Sequence, residues 1–519
     1  MNILKEIVQI VGKDKCARSW MTSELGSSSM LTEFFEMILE DRFQNDEEAA
    51  EHFYPSSDST ASYRKLKARL RSQLKDIVLL IDTNQAHYSD REKAYYQCHK
   101  DWASANVLLG KNARQAGISI THDVIRYAEK YEFSNLALEA SRVLRLHYGA
   151  REGNAKKYEE YREKCAYYNE ICQVENMAEE LYTDLVIEYV NNKTIKEEVS
   201  VRALDAYRKL EQRIRGHESY RANLYASLIR LMIYSSINDY ENILRVCDES
   251  IRFYEEKPYF AKVPLQIYYF QKLICHSQLR DYELGMETAE KCRSYLDEGT
   301  FNWFKFKELA FILSMHTKKY VQAAKIYLET TEHKRFEFLP SVVKEVWKIY
   351  EAYLHYLIDM DELDLSKEKI VLDKFRLGKF LNETIIFSKD KSGMNIPILV
   401  AQILFLILHR KYNDAIERID AIEKYRARHL SRKDNKRSFI FIKMLLQIPL
   451  GMFHQAGVMR KAKRYVKQFK EIPVEIANQA STLEVIPYDD LWDMLISSLE
   501  NQFYRGGKNK SRKNQKAVK

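Results

Sequence analysis

Side chains that could catalyse a reaction occur at three places in the sequence, but none has the neighbours that its chemistry needs. His122 and Asp123 could bind a metal ion for phosphoester hydrolysis, yet such a site needs several more His and Asp residues, and none is arranged that way nearby. Cys98 and His99 do not form a nucleophile–base pair, because adjacent residues on a helix point about 100° apart. His217 precedes a glutamate, but no second histidine follows one turn later, as a zinc site requires.

Loops that bind phosphate groups are also missing from the sequence. It contains neither GxxxxGK[ST] nor GxGxxG, and it has no GxSxG segment to present a nucleophilic serine. We therefore predict that the chain is not an enzyme and that it has no catalytic residues, no metal site and no cofactor.

The elements that could position any site are predicted to be helices. Glycine and proline supply only 15 and 8 of 519 residues, well below the usual share of roughly 7% and 5%. Both residues mark turns and strand ends, so their scarcity favours long helices joined by short turns. The 35 tyrosines suit helix packing, because the ring can be buried while the hydroxyl stays hydrogen-bonded.

Cysteine usage predicts a reducing compartment. The seven cysteines include no CxxC pair, and their number is odd. We interpret them as reduced packing residues and expect a cytoplasmic protein. They are Cys16, Cys98, Cys165, Cys172, Cys247, Cys275 and Cys292.

The longest apolar stretch predicts a buried helix rather than a membrane span. Ile396 to Leu408 is almost wholly apolar, but it is shorter than the roughly 20 residues that cross a bilayer. An exposed face on this helix would form a large apolar patch, which monomers rarely tolerate. We expect Ile472–Leu499, with Trp492, to fold back and cover it, and we predict no membrane association.

Positive charge is concentrated near the C-terminus. The net charge is +8, but residues 405–470 hold 17 basic and 5 acidic residues, and residues 471–504 hold seven acids without a Lys or Arg. Four interpretations stay open: a solvated face, pairing with the acidic segment, an acidic protein partner, or nucleic acid. The candidate polyanion-binding residues are Arg426, Arg428, Arg432, Lys433, Lys436 and Arg437, and a second cluster follows at residues 460–470.

An internal repeat begins near residue 220. Four apolar segments each end in a short polar turn, after which Tyr240, Tyr282, Tyr320 or Tyr412 begins a second helix. The spacings are 42, 38 and 92 residues, so one poorly matching unit lies between the last two tyrosines. We predict that Val342–Met360 and Leu372–Phe387 are its two helices. A two-helix repeat near 40 residues is typical of an α-solenoid.

These turns resemble the middle of tetratricopeptide repeats over about residues 200–430. That family has an aromatic residue at the start of the second helix and a small residue three positions later. Here the later residues are Gly285, Ala323 and Ala415, with Ile243 in the first unit. The units are longer than the usual 34 residues. The resemblance implies an α-α superhelix that binds a peptide or protein in a concave groove, for which we name Tyr225, Phe270, Gln278, Lys305, Glu308 and His316.

The N-terminal segment resembles a different family. Residues 46–55 and 61–71 are similar to the two central helices of bacterial winged-helix regulators, and the second of them is rich in Arg and Lys. No hairpin that would form the wing follows it. The alternative is an amphipathic helix that packs on Leu66, Leu70 and Leu74. The basic residues are Arg64, Lys65, Lys67, Arg69 and Arg71.

Together these patterns predict an all-α chain in four parts. They are an N-terminal helical module (1–110), a helical-repeat solenoid (111–404), C-terminal repeat helices with an acidic cap (405–504) and a disordered basic tail (505–519). The predicted function is a non-catalytic scaffold or adaptor that mediates protein–protein interaction. The alternative is a DNA-binding transcriptional regulator whose repeats sense a ligand or partner, which would make nucleic acid a second partner.

Overall fold

The fold is all-α, as predicted. The computed structural model describes residues 1–25, 29–55, 59–83, 88–192, 196–217, 219–368, 370–383, 395–429, 436–471 and 484–500. Most of these residues lie in helices, and the helices pack against their neighbours in sequence. The described residues contain no β-strand, only an isolated bridge between His454 and Glu500. The predicted disordered tail, 505–519, lies outside the described residues.

The chain forms two compact units, and the boundary between them falls within one helix, Ala155–Asn192. Unit 1 comprises Met1–Gln173 and Pro258–Phe260. Its helices are α1 (Asn2–Lys13), α2 (Lys15–Leu25), α3 (Met30–Leu39), α4 (Asp46–Phe53), α5 (Ser59–Val78), α6 (Asp90–Gly110), α7 (Arg114–Tyr131), α8 (Ser134–Leu146) and the first part of α9 (Ala155–Asn192), with a π-helical turn at His147–Arg151. The four-part division predicted from the sequence is finer than these two units and stays a prediction.

Unit 2 comprises Val174–Lys257 and Ala261–Lys519. Its further helices are α10 (Lys196–Ile214), α11 (Tyr220–Ser235), α12 (Tyr240–Glu255), α13 (Lys262–Leu279), α14 (Tyr282–Ser294), α15 (Phe301–His316), α16 (Tyr320–Thr331), α17 (Ser341–Asp359), α18 (Leu377–Glu383), α19 (Asn395–Leu408), α20 (Tyr412–His429), α21 (Lys436–Leu445), α22 (Gln447–Leu450), α23 (Gln455–Lys470) and α24 (Tyr488–Ser498), with 3-10 turns at Phe336–Phe338 and Ser366–Glu368.

The four predicted repeat turns share one backbone geometry. Tyr240, Tyr282, Tyr320 and Tyr412 are the first residues of α12, α14, α16 and α20. Two positions before each tyrosine, a non-glycine residue has a positive φ, between 55° and 60°. This left-handed conformation ends the first helix and turns the chain back. The residues concerned are Asn238, Arg280, Lys318 and Arg410. The predicted helix pairs are therefore confirmed.

The small residue in the second helix lies where two helices approach closely. A Cβ atom on Gly285 would lie 2.6 Å from a methyl carbon of the buried Leu313 on α15. Ala323 and Ala415, at the equivalent positions, are fully buried. A larger side chain there would force the helices apart, because protein interiors leave no space for added atoms.

The poorly matching unit is only partly as predicted. Its first helix, α17, matches the expected segment, but α18 begins at Leu377, five residues later than predicted. The intervening chain is not helical, because the Phe375 ring stacks between two other rings. Its centroid lies 5.0 Å from that of His355 on α17 and 5.4 Å from that of Phe405 on α19. Residues 384–387 of the predicted second helix lie outside the described residues.

The apolar helix α19 is buried on nearly all sides, as predicted. From Ile396 to Ile407 every side chain but Leu399 is buried, and Leu399 is half-buried. Helix α24 packs against α19, and Leu491, Trp492 and Leu495 join the same core. Trp492 is 6% exposed. The predicted return of the C-terminal segment is therefore confirmed for residues 484–500, whereas residues 472–483 lie outside the described part of the chain.

Candidate binding surfaces

The predicted groove residues lie on the first helices of three successive units. Tyr225 of α11 is half-buried, with its ring 5.6 Å from that of Tyr182. Phe270 and Gln278 of α13 are also half-buried, and the side-chain oxygen of Gln278 is enclosed without a hydrogen-bond partner among the described residues. These three side chains are therefore partly accessible to solvent on α11 and α13, the helices predicted to line the groove.

The other three predicted groove residues, on α15, are engaged within the chain. Lys305 Nζ lies 2.8 Å from Glu308 Oε1, and Glu308 itself is buried. His316 is buried, and its two ring nitrogens face the carbonyl oxygens of Ser277, at 3.3 Å, and Glu484, at 2.6 Å. Burial lowers the pKa of His316 below its usual value. The C-terminal segment thus occupies the hydrogen-bonding position beside His316.

Two repeat turns bind the N-terminal end of α24 through ion pairs. The guanidinium of Arg280 contacts Asp489 at 2.6 Å and Asp490 at 3.2 Å, and Lys318 contacts Asp490 at 2.7 Å. Burial alone would raise the pKa of Asp489, but its hydrogen bond to Arg280 and the charges of Arg280 and Arg437 outweigh burial and lower it. The positions with positive φ thus present cations to acidic residues of the C-terminal helix.

A third repeat turn binds the other end of the same segment. Arg410, again at the position with positive φ, lies 2.5 Å from Glu500. The backbone amide of Gln455 donates to the Glu500 carbonyl oxygen at 3.1 Å, which ties this end to the start of α23. No sequence pattern paired these residues in advance, although a cation stands two positions before three of the four tyrosines.

A buried arginine joins α21 to the C-terminal segment. Arg437 is 4% exposed and makes two hydrogen bonds to the Glu484 carboxylate, at 2.8 and 3.1 Å. Asp489 lies 3.7 Å away, and the Phe469 ring lies beneath the guanidinium at 4.2 Å. Arg437, predicted as a polyanion-binding residue, therefore has its charge balanced inside the protein.

The other predicted polyanion-binding residues differ in their surroundings. Arg426 is paired with Glu423 at 2.6 Å and stacks over Phe439. Arg428 is exposed and forms no ion pair with a described residue. Arg432 and Lys433, together with the side chain of Lys436, lie outside the described residues. Polyanion binding by this stretch stays a prediction.

Helix α23 presents the second basic cluster, and all six of its cations are exposed. None forms an ion pair with any described residue, and the helix contains no acid. Val458, Ala462 and Phe469 bury the opposite side in the core. The cations are Arg460, Lys461, Lys463, Arg464, Lys467 and Lys470.

Helix α5 of unit 1 is basic on its exposed side. Tyr63, Leu66, Leu70 and Leu74 are buried, which matches the packing predicted for an amphipathic helix. Lys67 is paired with Asp46 of α4 at 2.7 Å. Arg64, Lys65, Arg69 and Arg71 are exposed and have no ion pair within the described part of the chain. The described residues after α5 contain no strand where a wing would lie.

Of the residues whose chemistry could serve catalysis, His122 is hydrogen-bonded and Cys98 is buried. His122 Nε2 lies 2.7 Å from the Tyr148 hydroxyl. Cys98 is buried, and burial raises the pKa of its thiol to about 12, so it is protonated at neutral pH. Within the described ranges, no group of three or more His, Cys, Asp or Glu side chains could hold a metal ion.

Within the described part of the chain, every helix is either too short or not apolar enough to span a lipid bilayer. No protein-family model, no curated protein and no solved structure matches the chain.

Proposed function

We propose that this chain is a non-catalytic helical-repeat scaffold that binds a protein partner. The observation that carries the proposal is that the repeats already hold a polypeptide segment, residues 484–500 of their own chain. Arg280, Lys318 and Arg410 bind its acidic side chains, while α19 buries its apolar ones. An array that holds one segment by charge and apolar contact has the chemistry to hold another.

The partner is proposed to bind the units that the C-terminal segment does not cover. In α11 and α13, Tyr225 and Phe270 remain half-buried and are aromatic, which suits the centre of a protein interface. The turn between α11 and α12 has Asn238 where the later turns have Arg280 and Lys318. The acidic segment has no cation to pair with at that turn, so these units are left for a partner.

A pull-down with three baits tests the proposal. The full chain, a Tyr225→Ala/Phe270→Ala variant and an Arg245→Gln/Arg252→Gln control are immobilised and exposed to an extract of the native cells. The control changes two exposed arginines on α12. We expect mass spectrometry to find a protein retained by the first and third baits and lost from the second. If no protein depends on the two aromatic residues, although circular dichroism shows a folded variant, the proposed groove is wrong.

A DNA-binding regulator is the second candidate function, and the exposed cations of α5 favour it. A gel shift of the full chain on genomic DNA fragments, compared with an Arg64→Gln/Arg71→Gln variant, tests it. Loss of a sequence-selective shift in the variant would support this function. An unchanged shift would exclude α5 as the DNA-reading element.

A further inference from the structure

The exposed face of α23 carries six cations, and none of them forms an ion pair with a described residue. We propose that this face binds the phosphate backbone of nucleic acid, without selecting a sequence. Nucleic-acid binding by α23 would be a function in addition to the proposed scaffold function, and it is tested separately from it.

No cation of α23 forms an ion pair with a described residue, and four of the six described acids between residues 471 and 500 pair with cations outside α23. Asp489 and Asp490 contact Arg280, and Glu484 contacts Arg437. Two cations of α23, Lys463 and Lys470, do share a cavity with Asp489 and Asp493, although no ion pair forms there. The four others do not line that cavity and form no ion pair with a described residue. They are Arg460, Lys461, Arg464 and Lys467.

The chemistry of the face favours nucleic acid over an acidic protein. Protein interfaces are depleted in lysine and depend on buried aromatic or apolar anchors. Here four of the six cations are lysines, and Met459 is the large apolar residue that the helix exposes. The apolar side of α23 is buried in the core, so it is not free to insert into a lipid surface either. Binding to a phosphate backbone requires only exposed positive charges, which this face has.

The spacing of the charges also fits a phosphate backbone. A rise of 1.5 Å per residue separates Arg460 from Lys470 by about 15 Å along the helix axis. Phosphates on one strand of duplex DNA follow each other at about 3.4 Å of axial rise, so roughly four lie within that length. Four cations meeting four phosphates would lower log K by about 3.6 for each tenfold rise in salt.

The test compares the salt dependence of DNA binding by three full-length proteins. They are the native chain, Arg464→Gln/Lys467→Gln on α23, and the Arg245→Gln/Arg252→Gln control, which carries the same net charge as the α23 variant. Fluorescence anisotropy with a labelled 20-base-pair duplex gives the affinity at a series of salt concentrations, and a 20-residue polyglutamate serves as the competing probe. Circular dichroism and melting curves establish that each variant is folded.

We expect the slope of log K against log salt to be shallower by about 1.8 for the α23 variant than for the native chain. This difference corresponds to about 60-fold weaker binding at 0.1 M salt. The control should keep the native slope. Equal slopes for the two variants would overturn the proposal, because the contribution would then be net charge alone. Tighter native binding to polyglutamate than to DNA, lost in the α23 variant, would also overturn it in favour of an acidic protein partner.

Discussion

Replacing Arg437 by methionine should release the C-terminal helix locally. Arg437 is 4% exposed, and its guanidinium is the main partner of the Glu484 carboxylate. Methionine approximates the volume of the aliphatic stem and still packs on Phe469, but it leaves the carboxylate without a cation. The perturbation therefore removes the charge pairing with little change in packing.

The expected loss is about 3 kcal/mol. Removing one partner of a buried ion pair typically costs about 3–5 kcal/mol, because the remaining charge stays desolvated. Glu484 retains 13% side-chain exposure and a hydrogen bond from the Tyr488 amide at 3.2 Å, so the lower end of that range applies. Arg437→Met/Glu484→Gln removes both charges, and we expect it to recover most of the loss.

Hydrogen exchange at the backbone amides of α24 measures this loss where it occurs. A decrease of about 3 kcal/mol in the opening free energy corresponds to exchange that is roughly a hundredfold faster. Arg428→Met, which removes an exposed arginine that pairs with no described residue, should leave exchange unchanged. A change of less than about fivefold in Arg437→Met would refute the role of the pair. A double variant as disrupted as the single one would show that lost packing, not unpaired charge, is responsible.

Three further predictions concern the same unit. Ala415→Leu should destabilise it by about 1–3 kcal/mol through overpacking, whereas Ala427→Leu, at an exposed position of the same helix, should be neutral in thermal melts. Leu404→Cys should react slowly with a thiol reagent in the full chain and rapidly once residues 484–519 are deleted, and equal rates would contradict the cap. Asp489 has a lowered pKa in the folded state, so it stabilises the fold above its unfolded pKa of about 3.9, and this contribution is lost as the pH falls through the folded value. The melting temperature of Asp489→Asn should therefore lie furthest below the native one near neutral pH and approach it below about pH 4, and a constant difference would argue against the ion pair.

The helices and their repeat could be predicted from the sequence because both depend on local interactions. The tyrosines that begin α12, α14, α16 and α20 follow short polar turns whose residues are adjacent in the chain. The burial of Ile396–Leu408 followed from composition alone, since no orientation of that helix offers a polar face. The late start of α18 could not be predicted, because Phe375 is held by aromatic rings from α17 and α19.

The tertiary structure determined which charged residues are buried in ion pairs and which are exposed. In sequence, Arg437 and Arg464 belong to the same basic region, yet one is buried beside Glu484 and the other is exposed on α23. Arg280 finds Asp489 across 209 positions of sequence, a distance over which no local pattern specifies pairing. The order of residues along the chain was enough to predict that it would be helical, repetitive and basic near its end. Only folding, which brings distant acids to some cations and not to others, determined which cations remain for a partner.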